Sequence, residues 1–300
     1  MEGSANPAAR TPLQAASSYY DANPGLRVLR LAMRAVQRLA PALAVRAAYR
    51  VFGTPFPLRF GRRRGLGGDW RAEAWPFEDG SVTLHSLRAA PHAPVALLVH
   101  GWGGHAGQML PLAEALGQHG LKPIIVDLPA HGASRGRVSN LPQFARAIEY
   151  VVARLMQQGF EVRVLAAHSL GANAAAFAAS RNLPVRRLVL LAPPASPHRF
   201  THYFAHVFGL GEATRAAMQR RIEAREGVLM SQLEPPAVGP RVHVPTLVVH
   251  DRDDTVNRFA DGQAFAHSIR GAELVATRGL GHRRILKDAQ VLGRIAIFAA

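Results

Sequence analysis

The chain has 300 residues, 48% hydrophobic and 19% charged, which is typical of a globular protein large enough for one α/β domain with additions. It contains no cysteine, so disulfides, thiolate metal sites and a cysteine nucleophile are excluded. The net charge of +16 favours phosphate-rich surfaces or simply keeps the protein in solution, and it indicates no specific nucleic-acid site. We find no apolar stretch of spanning length and no secretory signal, so we expect a cytoplasmic location, with membrane association as an open alternative.

The N-terminal part is predicted to be a loose tail, a basic helix and a connector. Residues 1–24 are rich in Ala, Ser and Pro. In residues 25–50, arginines recur every three or four positions, as on one helical face, and Pro41 should break or kink that helix. The helix either lies on an anionic membrane, giving peripheral contact there, or packs on the protein's own core. Residues 53–80 are a Pro/Gly/Arg connector, whose basic run Arg62–Arg64 is typical of a solvated loop.

From about residue 82 the chain alternates short apolar runs with segments of helical length, which predicts a mostly parallel sheet with helices on both faces. Residues 194–243 interrupt this alternation and carry several aromatics, so we predict a short helical lid there. The expected division is 1–80 as the N-terminal region and 81–300 as the domain. The predicted strands are 95–100, 122–128, 162–167, 186–192, 246–251 and 272–277, and the predicted helices are 108–120, 142–159, 171–180, 211–227, 258–268 and 287–299.

A serine stands between a predicted strand and a predicted helix, in the segment AHSLG at residues 167–171. A serine there requires a sharp, strained turn that presents its hydroxyl at the carboxyl edge of the sheet. That turn needs small residues two positions to either side, and Ala167 and Gly171 are small. A serine acting as an ordinary helix cap requires no small neighbours. We therefore predict that Ser169 is a nucleophile.

Two later strand ends offer the acid and the base that a serine nucleophile needs. The predicted strand that ends at Asp251 is followed by Asp253 and Asp254. The next predicted strand is followed by a Gly-rich turn that carries His282. The chain order serine, acid, histidine fits a sheet whose carboxyl edge gathers all three side chains.

The glycine-rich segment HGWGG, residues 100–104, follows the predicted strand 95–100. We expect the backbone amides of Trp102 and Leu170 to donate to an oxyanion. The segment lacks the GK[ST] ending of a phosphate loop, and we expect neither a cofactor nor a metal. The residues expected to line the substrate site are His100, Gly101, Gly103 and His168.

Together the motifs HGWGG, DLPAHGAS, AHSLG, HDRDD and GLGH resemble, in this order, those of the α/β-hydrolase superfamily, in its serine esterase and lipase-like branch. The resemblance covers about residues 80–300 and implies the α/β-hydrolase fold with a Ser–acid–His triad. The family's acid turn reads G-x-x-D, which puts the acid at Asp254, with Asp253 as the second choice. This chain departs from the family at Ala167 and Ala130, where glycines are usual.

The activity that the resemblance implies is hydrolysis of a small-molecule carboxylic ester or thioester through an acyl-enzyme. The aromatics and leucines of the predicted lid either accommodate an apolar acyl group, as we expect, or form the lid's own core. A peptidase or amidase of the same fold is the first alternative, and a membrane-surface or scaffold protein with weak catalysis is the second. The oligomeric state is not predicted. A peptidase needs a carboxylate to hold a substrate amine, and the predicted lid contains four glutamates that are candidates for this role: Glu212, Glu223, Glu226 and Glu234.

Overall fold

The structure is a computed structural model that describes residues 24–55, 66–87 and 93–300. The predicted tail, up to residue 23, and the basic run Arg62–Arg64 lie outside the described residues. Within those three ranges, no helix is long and apolar enough to cross a membrane.

The chain divides into two compact units. The helical unit, as we name it, comprises Met1–Tyr49 and His198–Ile222. The sheet unit comprises Arg50–Pro197 and Glu223–Ala300. The candidate catalytic side chains all belong to the sheet unit.

An eight-stranded sheet forms the centre of the sheet unit, in the order β1-β2-β4-β3-β5-β6-β7-β8. β1 and β2 form an antiparallel hairpin, β2 pairs antiparallel with β4, and all the other neighbouring strands are parallel. The predicted fold, a mostly parallel sheet between helices, is confirmed. The strands are β1 Arg71–Phe77, β2 Gly80–Ser86, β3 Val95–Val99, β4 Lys122–Asp127, β5 Val162–His168, β6 Arg187–Leu191, β7 Thr246–Asp251 and β8 Glu273–Thr277.

Helices cover both faces of the sheet, which is why the central strands are apolar at most of their positions, with polar residues mainly at their ends. In β3, Leu97 faces one buried cluster together with Phe144, and its neighbour Leu98 faces the other cluster together with Leu116. All five residues of β3 are buried, as expected for a strand packed on two sides. The helices are α1 Pro24–Leu39, α2 Pro41–Phe52, α3 Leu110–Gln118, α4 Leu141–Gln157, α5 Leu170–Ala179, α6 Pro197–Phe208, α7 Glu212–Glu226, α8 Pro235–Val238, α9 Phe259–Ser268, α10 Gly281–Arg284 and α11 Ala289–Ala299.

The sheet begins before the predicted boundary at residue 81, because β1 lies within the stretch 53–80 that the sequence analysis treats as a connector. As an edge strand, β1 has mostly exposed side chains, with only Trp75 buried, so it lacks the apolar pattern that marks the inner strands. The sequence signal that was missed is Asp79-Gly80. It overlaps the two-residue hairpin turn Glu78-Asp79, which connects the paired residues Phe77 and Gly80.

The predicted helix over residues 25–50 is present as α1 and α2, interrupted at Ala40 beside Pro41. Met33 of α1 is buried, and Gln37 donates to the carbonyl of Gly209 at 3.1 Å and accepts from the amide of Gly211 at 2.7 Å. α1 therefore contacts the end of α6 through a face that carries a polar side chain. The predicted lid, 194–243, contains α6, α7 and α8, and its role as a lid remains a prediction.

Candidate active site

Ser169 lies in a strained turn between β5 and α5. Its φ of 55° and ψ of −128° are rare for a residue with a side chain. The turn is tightly enclosed: a Cβ on Gly101 would lie 2.6 Å from the Cβ of Ser169, and one on Gly171 would lie 2.3 Å from the carbonyl oxygen of His100. The Ser169 hydroxyl makes no helix-cap hydrogen bond, so the ordinary capping role does not explain this serine.

Three predicted site residues meet at the carboxyl edge of the sheet. His282 Nε2 lies 3.0 Å from Ser169 Oγ, and His282 Nδ1 lies 2.7 Å from Asp254 Oδ2. Ser169 and His282 stay partly exposed, whereas Asp254 is buried. Asp253, the second choice for the acid, is exposed and accepts from the amide of Gly279 at 2.9 Å. The arrangement suits a hydroxyl, a base and an orienting carboxylate.

Asp254 is held as a carboxylate by the groups around it. Burial alone raises the pKa of this carboxyl, but hydrogen bonds from His250 and His282 outweigh burial and bring the pKa well below its usual range. The backbone amides of Val256 and Asn257 also donate to its Oδ1, at 2.7 and 2.9 Å. The carboxylate is therefore charged at neutral pH and fixed in orientation against His282.

The glycine-rich segment 100–104 is anchored by His131, a residue of the DLPAHGAS motif. His131 Nδ1 donates to the carbonyl of Pro129 at 2.9 Å, so Nε2 is free to accept from the amide of Gly103 at 3.0 Å. The amide of Gly104 donates to the carbonyl of Gly101 at 3.0 Å. These bonds occupy the amides of Gly103 and Gly104 and fix the backbone on either side of Trp102 in the described structure.

Asp127, at the end of β4, forms hydrogen bonds both to the chain just after the glycine-rich segment and to the loop that follows β4. Its carboxylate accepts from the amides of Ala106 and Ala133 at 2.7 and 2.8 Å, and His85 Nε2 lies 2.9 Å away. Burial raises the pKa of Asp127, but the hydrogen bonds from His85 and from the amide of Ala133 bring it down to about 2. Gly132 follows with φ +49°, and a Cβ there would lie 1.8 Å from the carboxylate.

Two residues predicted to line the substrate site do not do so with their side chains, and this corrects the expectation. His100 is completely buried, with Nδ1 2.7 Å from the carbonyl of Gly101 and Nε2 accepting from the amide of Leu128. His168 is buried, with Nε2 2.9 Å from the backbone carbonyl of His282. Burial and the nearby His282 lower the pKa of His168 to about 3, so it is a neutral donor to the histidine turn.

The other predicted site residues belong to the glycine-rich segment and to the first turn of α5. Gly101 lies against Ser169, and Trp102, Gly103 and Leu170 are partly exposed. Their contact with a substrate remains a prediction. Among the described residues, no group of three His, Asp or Glu side chains could hold a metal ion.

Sequence reasoning missed three polar residues at this site. Asn257 Nδ2 lies 3.4 Å from Ser169 Oγ, and His250 Nε2 lies 3.5 Å from Asp254 Oδ2. Asp127, quoted within a motif, was given no role. The available signal was a polar residue at the carboxyl end of a buried strand, which fits His250 and Asp127. No such signal marks Asn257, because it lies in the loop beyond β7.

Comparison with protein families gives a match over residues 90–227 to the family described as Serine aminopeptidase, S33. A curated relative from Xanthomonas axonopodis pv. citri (strain 306), named pimeloyl-[acyl-carrier protein] methyl ester esterase, is 34% identical over 141 residues. That match covers 47% of this chain and 49% of the relative, so the chain spans about half the length of the curated relative it matches.

Solved structures share the fold at low sequence identity. An esterase of Pyrococcus furiosus has a TM-score of 0.61 at 17% identity, over 80% of this chain and 98% of that one. Est1E of Butyrivibrio proteoclasticus, solved with bound ferulic acid, has a TM-score of 0.60 at 18% identity, over 76% of this chain and 96% of that one. These likenesses concern the fold.

Proposed function

Because the chain belongs to the α/β-hydrolase superfamily, in its serine esterase and lipase-like branch, we propose that it hydrolyses a carboxylic ester or thioester through an acyl-enzyme. The observation that carries the proposal is the continuous contact from Ser169 Oγ through His282 to Asp254, at 3.0 and 2.7 Å. The strained backbone at Ser169 supports it, because strain of this kind is found where a side chain must be presented for chemistry.

In the proposed mechanism, Ser169 Oγ attacks the substrate carbonyl carbon while its proton passes to His282 Nε2. The amides of Trp102 and Leu170 donate to the oxyanion, and one such donor is typically worth about 3–4 kcal/mol. His282 then protonates the leaving alcohol or thiol. Water, deprotonated by His282, hydrolyses the acyl-enzyme and regenerates the serine. Asp254 holds the imidazole in the required tautomer and stabilises its cation.

An ester is preferred over a peptide, because the four glutamates that could hold a substrate amine are all engaged. In the sheet unit, Glu226 lies 2.7 Å from Arg146, Glu234 accepts from Ser196, and Glu223 accepts from the amide of Met230. In the helical unit, Glu212 forms a two-pronged contact with Arg215. The curated relative's name describes a methyl ester esterase acting on an acyl-carrier protein substrate, and this also favours ester cleavage.

The test compares wild type, Ser169→Ala and Ser180→Ala on p-nitrophenyl esters from acetyl to long acyl chains. Ser180 is the matched control, since it lies at the other end of α5 and donates to the carbonyl of Phe177. We expect activity and fluorophosphonate labelling in wild type and Ser180→Ala, and neither in Ser169→Ala. Aminoacyl p-nitroanilides measure the peptidase alternative, and a folded wild type that cleaves only these would overturn the ester proposal.

We further propose that α1 gives the protein peripheral contact with an anionic lipid surface. Val28, Leu31 and Leu39 are 67%, 64% and 86% exposed. At 3.6 residues per turn they lie opposite the buried side of α1, which carries Met33 and Gln37. This exposed side of α1, defined by Val28, Leu31 and Leu39, is here called the apolar face. It is suited to the acyl boundary of a bilayer.

Charge favours a lipid surface over other partners for the apolar face. From Pro24 to Phe52 the chain has six arginines and no acidic residue. Arg34, Arg38, Arg46 and Arg50 are exposed. Each basic residue near an anionic membrane contributes about 1 kcal/mol, and this contribution is screened by salt.

Vesicle sedimentation of the full chain tests this proposal, with phosphatidylglycerol-rich vesicles against phosphatidylcholine vesicles. We expect salt-sensitive binding to the anionic vesicles alone, and loss of binding in the triple variant Val28→Ser, Leu31→Ser, Leu39→Ser. The matched control replaces Met156, Leu229 and Ile297 by Ser, since these are similarly exposed in the sheet unit at 46%, 55% and 68%. Equal binding by both triple variants, or a wild-type dimer that the first variant dissociates, would overturn the lipid assignment.

A further inference from the structure

Asn257 joins the candidate nucleophile to the acid turn. Its side chain is 2% exposed, and its Nδ2 lies 2.7 Å from the carbonyl oxygen of Ala192 and 3.4 Å from Ser169 Oγ. Its backbone amide donates to Asp254 at 2.9 Å, and its backbone carbonyl lies 3.1 Å from His250 Nε2. Asn257 thus contacts the hydroxyl of Ser169, the carboxylate of Asp254 and the ring of His250.

The carbonyl of Ala192 fixes which end of the amide faces Ser169. A carbonyl oxygen only accepts hydrogen bonds, so the Asn257 side chain must present its NH₂ group on that side. The second hydrogen of the same NH₂ group then points to Ser169 Oγ. Ala192 itself has a positive φ of 48° and donates its amide to the carbonyl of Val249, which holds the acceptor in place.

We propose that Asn257 is a positioning residue for the nucleophile: its NH₂ group donates to Ser169 Oγ while the hydroxyl proton is directed to His282. This inference rests on the serine mechanism proposed above. With one lone pair of Oγ engaged by Asn257, the hydroxyl has one favourable orientation for giving its proton to His282 Nε2. The side chain makes no contact with substrate in this proposal.

The contact should strengthen during the reaction. While the Oγ proton passes to His282 Nε2 and before the Oγ–carbon bond is complete, partial negative charge develops on Oγ, and a hydrogen bond to a charged acceptor is roughly twice as strong as a neutral one. The same charge returns to Oγ when the acyl-enzyme is hydrolysed and the serine leaves. A distance of 3.4 Å is long for the resting state, and contacts of this kind tighten when the substrate is bound.

Asn257→Ala and Asn257→Asp separate this role from a purely structural one. Alanine removes the donor. Aspartate keeps the shape but places oxygen atoms against two acceptors, Ser169 Oγ and the carbonyl of Ala192, and it can donate only when protonated. Asn173 provides the matched controls, Asn173→Ala and Asn173→Asp, because it is also fully buried and donates to a backbone carbonyl, that of Pro194, at 2.8 Å.

The readout is the second-order rate constant of inactivation by a fluorophosphonate between pH 5 and 8, divided by the wild-type value at each pH. Because partial unfolding lowers this rate constant in proportion to the folded fraction, each variant is compared only at pH values where its unfolding curve shows it folded. We expect Asn257→Ala to be about tenfold slower at every pH, the effect of one lost hydrogen bond. We expect Asn257→Asp to be slower still at pH 8 and to recover towards wild type as the pH falls and the carboxyl gains its proton.

The Asn173 variants show the result expected from a purely structural role. Asn173 variants should lower the melting temperature and leave the rate ratio flat with pH. If the Asn257 variants behave in the same way while wild type reacts normally, the positioning role is overturned and the serine mechanism stands. If wild type does not react with the fluorophosphonate at all, both the mechanism and the role of Asn257 fail.

Discussion

Helices α5 and α1 are both rich in apolar residues, but α5 buries nearly all of them whereas α1 leaves most of them exposed. In α5, every residue from Gly171 to Ala179 is buried, because the helix packs against α4 and against strands β5 and β6. In α1, Met33 is the one side chain that is buried among those the structure describes, and Val28, Leu31 and Leu39 face solvent. Periodicity therefore predicts a helix, while the neighbouring elements decide which side of it is buried.

The charged side chains of these two regions also differ in whether they are buried or exposed. Around the strained turn at Ser169 between β5 and α5, which we call the elbow, the carboxylates of Asp127 and Asp254 are buried and accept several hydrogen bonds. Along α1, Arg34 and Arg38 are exposed and no carboxylate lies on the helix. The elbow region is thus stabilised by internal contacts, whereas the exposed side of α1 contributes little to folding and is available to a partner.

The largest expected effect comes from Asp127→Asn, which breaks the buried network on the elbow side. An amide has one acceptor oxygen, and its NH₂ group would face the amide of Ala106 or of Ala133, both of which are donors. We expect the free energy of unfolding to fall by about 3–5 kcal/mol, as when one partner of a buried pair is removed. Urea unfolding measures this, with Asp79→Asn in the exposed β1–β2 turn as the control. A change below 1 kcal/mol would contradict the proposed anchoring.

A smaller loss is expected from Gly171→Val, which tests the close packing of α5. The added side chain would meet the backbone carbonyl of His100, which cannot move without disturbing β3 and its neighbours. Overpacking of this kind costs about 1–3 kcal/mol, and we expect esterase activity to fall with it. Gly293→Ala in α11 is the control, because no atom lies within 4 Å of its added Cβ and alanine favours a helix there. Equal stability of Gly171→Val and Gly293→Ala would contradict the close packing of α5 against the backbone at His100.

The sequence predicted most of the fold because the inner strands are buried on both faces and are therefore apolar at nearly every position. The sequence also predicted that Ser169, Asp254 and His282 meet at one edge of the sheet. This follows because the carboxyl ends of parallel strands lie together and the three motifs occur in the same order as the strands. The edge strand β1 escaped prediction, since most of its side chains face solvent.

Other contacts of the site depend on distances that no local pattern encodes. Asn257 lies beside Ser169 although 88 positions separate them in the chain. His168 was expected to face substrate, but its ring is turned inward to the backbone carbonyl of His282, 114 positions later. The side of α1 that is exposed was equally undetermined, because the helix is apolar or basic at nearly every position.

A pH-dependent effect is expected for His168 on the elbow side. The unfolded chain binds a proton there near pH 6.5, whereas the folded chain does so only near pH 3, so the unfolded state holds more protons in between. Stability therefore falls as the pH is lowered from 6.5, by about 1.4 kcal/mol per pH unit through this group. Urea unfolding from pH 7 to 4 should give a flatter profile for His168→Gln than for wild type or for His119→Gln, an exposed control. If the stability of wild type, His168→Gln and His119→Gln changed equally with pH, the role of His168 in the pH dependence would be contradicted.

The smallest expected effect belongs to α1, where Leu31→Ser and Leu39→Ser replace exposed apolar side chains. Since these leucines remain in water in the folded state, their replacement removes almost no buried area, and we expect changes in unfolding free energy within about 0.5 kcal/mol. Met33→Ser, at the buried position of the same helix, should cost about 2 kcal/mol or more. Urea unfolding in the absence of lipid measures all three variants. If the leucine variants lose as much stability as Met33→Ser, the apolar face is covered by the protein itself, and the contrast between α1 and α5 disappears.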